Sequence, residues 1–342
     1  MLGTTSHPAP TPSAGPRAIG DADFPLGTPL DHQLRFLLNY AVLAPSVLNT
    51  QPWRFVVEDH KVYLFADRSR QLSTIDPVGR ELTISCGAAL FHLRVAAHHY
   101  GFESAVHPFP DPTNPDLLAT FALTSPRSST DYDESLFRAI SVRRTNRHPF
   151  AETPVPSDVV GVLERVAREE KARLAVLTTE EEKEGVGVLV EEGIRLNGER
   201  PEVAAEIRKW LRPNEDPRRD GVPDREQGNW DRRSDVRTSS AVLAPRKHAL
   251  IHDSPAVLVL ATDTDDPNAW LAGGQALGYA LLVAADRGLY ASYMNQPVEI
   301  DALRLELSKL IGGGFPQLVF RVGYPSYREG TPRRSVQDVL TD

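Results

Sequence analysis

Residues 43–55 read Leu-Ala-Pro-Ser-Val-Leu-Asn-Thr-Gln-Pro-Trp-Arg-Phe. An apolar helix runs up to Ala44, and Pro45 stops it, because proline has no N–H to give and restricts the residue before it. A short polar loop with Ser46, Asn49, Thr50 and Gln51 follows, and Trp53 opens a strand. Pro45 and Pro52 restrict the loop at both ends, so its hydroxyl, amide and main-chain groups can meet a flat polar ligand at low ordering cost. Taken alone, the stretch is equally an ordinary helix-to-strand turn. The rest of the chain decides between the two.

Upstream, Thr28 is expected to cap a helix that has Pro29 as its first residue, with Leu30, Leu34, Leu37, Leu38, Ala41 and Val42 on one face. Residues 1–27 are rich in Pro, Ser, Thr, Ala and Gly, cannot offset their ordering entropy, and are expected to form a disordered tail. Downstream, residues 53–57 and 62–66 alternate around Glu58-Asp59-His60-Lys61 as a hairpin. A second helix is expected from about Asp76-Pro77 to a Gly101 stop. Its small run Ser85-Cys86-Gly87-Ala88-Ala89 lets another helix or a planar ligand approach the backbone, close helix packing being the simpler of the two. Cys86 reads as a small buried hydrophobe, since no basic residue adjoins it on the helix. Residues 117–123 read as a strand closing this half.

From Asp133 a new unit begins. A helix carrying Leu136, Phe137 and Ile140 leads into Ser141-Val142-Arg143-Arg144-Thr145-Asn146-Arg147, where three arginines and a hydroxyl crowd a helix end. Such a run is either a solvated basic surface or a phosphate clamp, since the guanidinium fork matches phosphate oxygens. A helix capped by Ser157, a strand at 173–178 and helices at about 180–196 and 201–211 follow. Residues 212–247 then carry Pro, Gly, Arg and Asp with little apolar periodicity. A connector of that length is either a functional lid or disordered, and Trp230 marks a point that docks. The chain continues with a buried strand at 256–261, a helix at about 268–288, the segment 290–297, a helix at 299–311, a stop at Gly312-Gly313-Gly314, a strand at 317–322, and a tail with Arg333 and Arg334.

Laying residues 87–102 over 274–289 matches Gly87 with Gly274, Ala89 with Ala276, Leu90 with Leu277, Ala97 with Ala284 and Gly101 with Gly288. In both copies a strand precedes a long small-residue helix that ends in glycine, so the chain reads as two related α+β halves. The proline-flanked polar loop occurs in the first, and the arginine-rich run in the second.

Composition narrows the function classes. A 342-residue chain with net charge −8 and its basic residues in local clusters does not suggest a nucleic-acid surface. No apolar run is long enough for a membrane span and no signal core opens the chain, so a cytoplasmic location is expected. The single cysteine excludes an internal disulfide framework and a thiolate metal cluster. His92, His98 and His99 lack a completing carboxylate or thiolate and are read as helix-surface residues; no metal is expected. No ordered Ser, His and Asp set presents itself.

On these residues the chain resembles the FMN-dependent nitroreductase superfamily, in particular its Acg-type branch of fused flavoproteins, over about residues 29–340. Arg143, Thr145 and Arg147 match the family's Arg-x-Ser-x-Arg/Lys phosphate and ring-edge motif, with Thr in place of the usual Ser. Pro45, Ser46, Asn49, Gln51, Pro52 and Trp53 look like the loop laid against the flavin ring, and Arg333 and Arg334 like the C-terminal basic pair. Asp76-Pro-Val-Gly-Arg-Glu-Leu and Asn295-Gln296-Pro297-Val298-Glu299 look like the Acg-type branch. The resemblance implies an α+β, nitroreductase-like pseudo-dimer: a first half over 28–130, and a second over 131–342 with a lid insertion at about 212–247. It implies a monomer binding one FMN and no catalytic side chain of its own. Arg147 and Lys247 would serve the N1 side of the flavin, and a backbone N–H near Asn295 or Gln296 would serve N5. NAD(P)H and a small nitroaromatic or quinone-like acceptor are the expected partners. Sequestration of FMN under an occluding lid is the alternative.

Overall fold

The computed structural model describes residues 20–227, 240–326 and 329–341. The first half opens with α1 (Leu30–Ala41), which buries Leu34, Leu37 and Leu38. Its N-cap is Pro29, while the Thr28 hydroxyl turns back to donate to the Pro25 carbonyl at 2.8 Å. Part of the expected tail is packed: Phe24 stacks on Tyr100 with ring centroids 4.0 Å apart. Strands β1 (Trp53–Glu58) and β2 (Lys61–Ala66) pair through a turn in which Asp59 and His60 both have positive φ, as a tight hairpin requires. Helix α2 (Arg80–His99) starts later than Asp76, but the Asp76 carboxylate still accepts the Leu82 N–H at 2.9 Å. Strands β3 (Phe102–Pro108) and β4 (Leu117–Pro126) complete the sheet.

The second half begins with α3 (Asp131–Val142), whose Thr130 and Asp133 form a capping box. Helix α4 (Ser157–Glu169) has Pro156 rather than Ser157 at its N-cap, and β5 (Arg173–Leu177) follows. Then come α5 (Glu180–Gly198), α6 (Pro201–Arg208), the short parallel strands β6 (Leu211–Arg212) and β7 (Val222–Pro223), and α7 (Ser240–His252). Strand β8 (Ala256–Thr262) is buried at every position. Helix α8 (Pro267–Asp286), β9 (Tyr290–Tyr293), α9 (Asp301–Leu310) and β10 (Phe315–Gly323) close the fold, with the three glycines 312–314 all at positive φ between α9 and β10. The segment expected to be irregular over 212–247 thus enters a helix at Ser240. Trp230 lies outside the described residues.

The two sheets have the same plan. One is ordered β1-β2-β4-β3 and the other β5-β8-β10-β9, both antiparallel, with a 20-residue helix between the second strand and the third in chain order. They differ in the link between their first two strands: a two-residue turn joins β1 to β2, whereas α5, α6, β6, β7 and α7 lie between β5 and β8.

The matched glycines explain how the halves meet. A Cβ on Gly274 would lie 2.1 Å from the Ile84 carbonyl oxygen and 2.8 Å from Gly87 Cα, and one on Gly87 would lie 2.3 Å from the Leu271 oxygen. Helices α2 and α8 therefore cross with their repeat glycines face to face, closer than any side chain permits. One apolar core surrounds this crossing, including Leu90, Phe121, Leu277 and Phe320, and a second lies beneath α5, α7 and α9 around Val190, Ile251 and Leu307.

Candidate functional site

The loop between α1 and β1 is held in an uncommon conformation. Leu48, Asn49 and Gln51 have φ of 47, 55 and 51°. Asn tolerates the left-handed region, but a leucine there is strained and persists where surrounding contacts over-determine it. Those contacts are on hand. The Ser46 hydroxyl accepts the Gln51 N–H at 2.9 Å, so this side chain shapes the loop itself. Asn49 Nδ2 donates to the carbonyls of Gly221 (2.9 Å) and Pro332 (3.1 Å), while its Oδ1 accepts from Arg333 at 2.9 Å. Gln51 Nε2 donates to the Arg219 carbonyl at 2.8 Å, and its Oε1 accepts the Arg334 N–H at 2.8 Å. Residues 219–221 and the C-terminal tail are thereby tied to the loop from the other half.

Two arginines rest on the buried carbonyls just past α1. Arg143, 3% exposed, donates from Nη2 to the Leu43 oxygen at 3.1 Å, and Arg333 donates from Nε to the Ala44 oxygen at 3.2 Å. The negative end of the α1 dipole favours cations here. Thr145 bridges β9 at Ala291, which carries Arg147 inward, where its Nη1 reaches the Glu226 carbonyl at 3.4 Å. Arg321 of β10, 1% exposed, donates to the Asn146 and His148 carbonyls (3.4 and 2.8 Å) and lies over the Phe150 ring.

Burial dominates the electrostatics of this cluster. It pushes Arg143 and Arg321 each down to about 10, lowers Arg144 and Arg147, and, with Arg321 and Arg147 adding to it, pushes Lys247 down to about 7. It also raises Tyr293 to about 12, so its phenol is a neutral donor. Glu226 is the acid that faces these cations, and its own ionisation is disfavoured by burial. Among the described residues, Arg143 Nε, Arg321 Nε and Nη1, Asn146 Nδ2 and Tyr293 Oη have no hydrogen-bond partner. Buried donors are almost always paired, so this concentration of unpaired ones fits an anion held between them.

The expected residues divide accordingly. Asn49, Gln51, Arg333 and Arg334 are joined by direct hydrogen bonds, Arg143 and Arg333 hold the adjacent Leu43 and Ala44 carbonyls, and Arg147 and Lys247 share one field with Arg321. The Asn295 side chain instead turns away to Glu81, while the Asn295 and Gln296 backbone N–H groups donate to no acceptor among the described residues. Arg321, Tyr293 and Asn146 were missed. A lone arginine inside the apolar run Leu318-Val319-Phe320-Arg321-Val322 was the available signal. His92 is not a surface residue: it is fully buried, with Nδ1 3.3 Å from the Tyr40 carbonyl, and burial followed by the Arg143 charge pushes it down to about 3. Cys86 is fully buried with its thiol raised, as an inert core residue. No helix among the described residues is long and apolar enough to cross a membrane, and no group of three metal-ligating side chains occurs among them.

Fold and site together define a two-half α+β protein with a cationic site where the halves join. No family model matches the chain. It is 33% identical over 320 residues to "Putative NAD(P)H nitroreductase Rv3131" of Mycobacterium tuberculosis, covering 90% of each chain. To "Putative NAD(P)H nitroreductase acg" of the same organism it is 32% identical over 317 residues, covering 90% of this chain and 95% of the relative. The chain therefore belongs to the nitroreductase superfamily, in the branch that includes the Acg proteins. Among solved structures, the FMN and NADPH-dependent nitroreductase NfnB from "sphigopyxis sp. strain HMH" matches at 17% identity with a TM-score of 0.42, over 60% of this chain and 98% of that one. Iodotyrosine deiodinase bound to FMN and 3-iodo-L-tyrosine matches at 17% and 0.40, over 58% and 95%.

Proposed function

We propose that this chain is an FMN-dependent NAD(P)H oxidoreductase of nitroreductase type. The observation that supports it best is the buried set of cations beside the loop, in which Arg143 Nε and Arg321 Nε and Nη1 find no partner among the described residues. Arg143 and Arg333 would hold the phosphate, which needs multiple charge-assisted donors. Arg147 and Lys247 would favour negative charge at the N1 edge, the loop from Pro45 to Gln51 would face the ring, and the Asn295 or Gln296 N–H would meet N5. Bound there, FMN would supply hydride transfer from NAD(P)H to a small nitroaromatic or quinone-like acceptor. The chain's residues bind and orient; none needs to move a proton for the hydride step.

The test is flavin content and reduction. Purified protein loaded with FMN and stripped of excess is expected to retain one flavin per chain and to bleach on addition of NAD(P)H. Two flavins per chain, or none, would refute the site. A second reading, sequestration, is favoured by the hydrogen bonds that carbonyls of residues 219–226 accept from Asn49, Gln51 and Arg147. In that case dithionite would bleach the flavin and NAD(P)H would not.

A further inference from the structure

The two runs that mark the Acg-type branch meet in space. Arg80 of α2 donates from Nη1 to the backbone and side-chain oxygens of Gln317 (2.6 and 3.1 Å) and from Nη2 to the Val298 carbonyl at 3.0 Å. Its neighbour Glu81, 2% exposed, accepts through Oε1 from Arg80 at 3.2 Å and from Asn295 Nδ2 at 3.3 Å. Asn295 Oδ1 in turn accepts the Val319 N–H of β10 at 3.2 Å. The turn that follows β9 is therefore gripped at Asn295 and at Val298, on either side of the Gln296 N–H. The amides of Asn295 and Gln296 are left without acceptors among the described residues.

We propose that Glu81, in the first half, is a positioning residue that fixes the Asn295–Gln296 turn of the second half so that its two unpaired N–H groups face the flavin ring. The proposal rests on the FMN reading above. A donor aimed at a reacting edge contributes only when it cannot rotate away, and a side-chain amide clamped at both ends provides that rigidity. The carboxyl is suited to the task in its neutral form. Burial, opposed by Arg80 and reinforced by Glu299, raises Glu81 well above the usual carboxylate range, so no bare charge is left facing the core. Oε1 remains an acceptor in that form, which glutamine reproduces and leucine does not.

The experiment compares the full-length chain with Glu81→Leu, Glu81→Gln and Asn295→Ala. In flavin-free protein, amide exchange of the 294–299 segment is expected to quicken at least tenfold in Glu81→Leu and Asn295→Ala and to stay within twofold in Glu81→Gln, with the β1–β2 hairpin unchanged in all three. In the FMN-loaded forms, the FMN dissociation constant should move less than threefold, since the phosphate donors are elsewhere. Bleaching by NAD(P)H should slow at least fivefold in Glu81→Leu and Asn295→Ala alone. Unchanged exchange of 294–299 in both variants, or unchanged bleaching despite a loosened turn, overturns the proposal. Should Glu81→Leu fail to fold, Asn295→Ala carries the same comparison. If the unaltered chain takes up no FMN, the functional reading falls, and exchange in the flavin-free protein still decides whether Glu81 holds the turn.

Discussion

Replacing Arg143 by methionine should make the flavin-free protein more stable and the flavin complex weaker. Arg143 is almost fully buried, and no carboxylate is bonded to it; its hydrogen bond goes to the Leu43 carbonyl and its Nε has no partner among the described residues. Burial lowers its proton affinity from 12.5 to about 10, which corresponds to roughly 3 kcal/mol of penalty on the charged form. Removing the charge relieves that penalty. Losing the hydrogen bond to Leu43 returns about 1 kcal/mol. The balance, about 2 kcal/mol in favour of Arg143→Met, should appear as a rise of a few degrees in melting temperature. FMN, which would satisfy the charge, should bind at least tenfold more weakly, because a charge-assisted hydrogen bond contributes about 1.5–3 kcal/mol. Riboflavin, which lacks the phosphate, should change less than threefold. Differential scanning fluorimetry without flavin, with fluorescence titrations of both flavins, gives all three numbers. Equal weakening for FMN and riboflavin, or a lowered melting temperature without flavin, would refute the reasoning.

Other expected outcomes follow from the same geometry. With Lys247 at the N1 edge, reduced FMN brings its negative charge beside that amine and so raises its proton affinity from about 7; binding of reduced FMN takes up a proton, and its affinity is full below pH 7 and declines as pH rises above it. Titrations from pH 6 to 9.5 should show that decline in the unaltered chain and a flatter profile in Lys247→Met. Gly274→Ala should destabilise by about 1–3 kcal/mol although alanine favours helices, because the new Cβ meets the Ile84 carbonyl, whereas Gly161→Ala, with open space around it, should stabilise by up to about 1 kcal/mol. Denaturant melts of the pair decide this, and equal effects would mean that α2 and α8 separate easily. Replacing residues 216–240 by a short Gly-Ser linker should speed bleaching by NAD(P)H in stopped flow while FMN stays bound. An unchanged rate would remove the case for a lid.

Much of this architecture was legible where local chemistry and tertiary packing agree. The hairpin at 53–66 follows from alternation around Asp59-His60, and the repeat glycines 87 and 274 foretold a close helix crossing. Legibility failed where burial leaves no periodic contrast. Helix α2 is buried nearly all round, so His92 could not be assigned to a face. Strand β3 alternates weakly because its Phe-Glu-Ser-Ala-Val-His-Pro sequence is half-exposed along much of its length. Proline disfavours a helix interior, yet Pro245 sits inside α7. At the site, the loop and the 143–147 run could be named from residue types, but Arg321 and Tyr293 come from strands that meet them through tertiary packing.

The two halves differ in the elements that surround the proposed site. Eleven residues separate α1 from β1, and they form the strained polar loop; three residues, Glu170 to Ala172, separate α4 from β5 and leave no room for one. Conversely, the link that is two residues long between β1 and β2 is matched, between β5 and β8, by a segment that supplies Arg219 and Gly221 to the loop, and Glu226 and Lys247 to the cations. Each half thus carries a component that the other lacks, while the two sheets share one plan. In a symmetric dimer, any segment added over one site would be added over both. In a single chain whose two sheets share a plan that constraint does not apply, and Arg219 and Gly221 rest against Asn49 and Gln51 without a second copy having to fit anywhere.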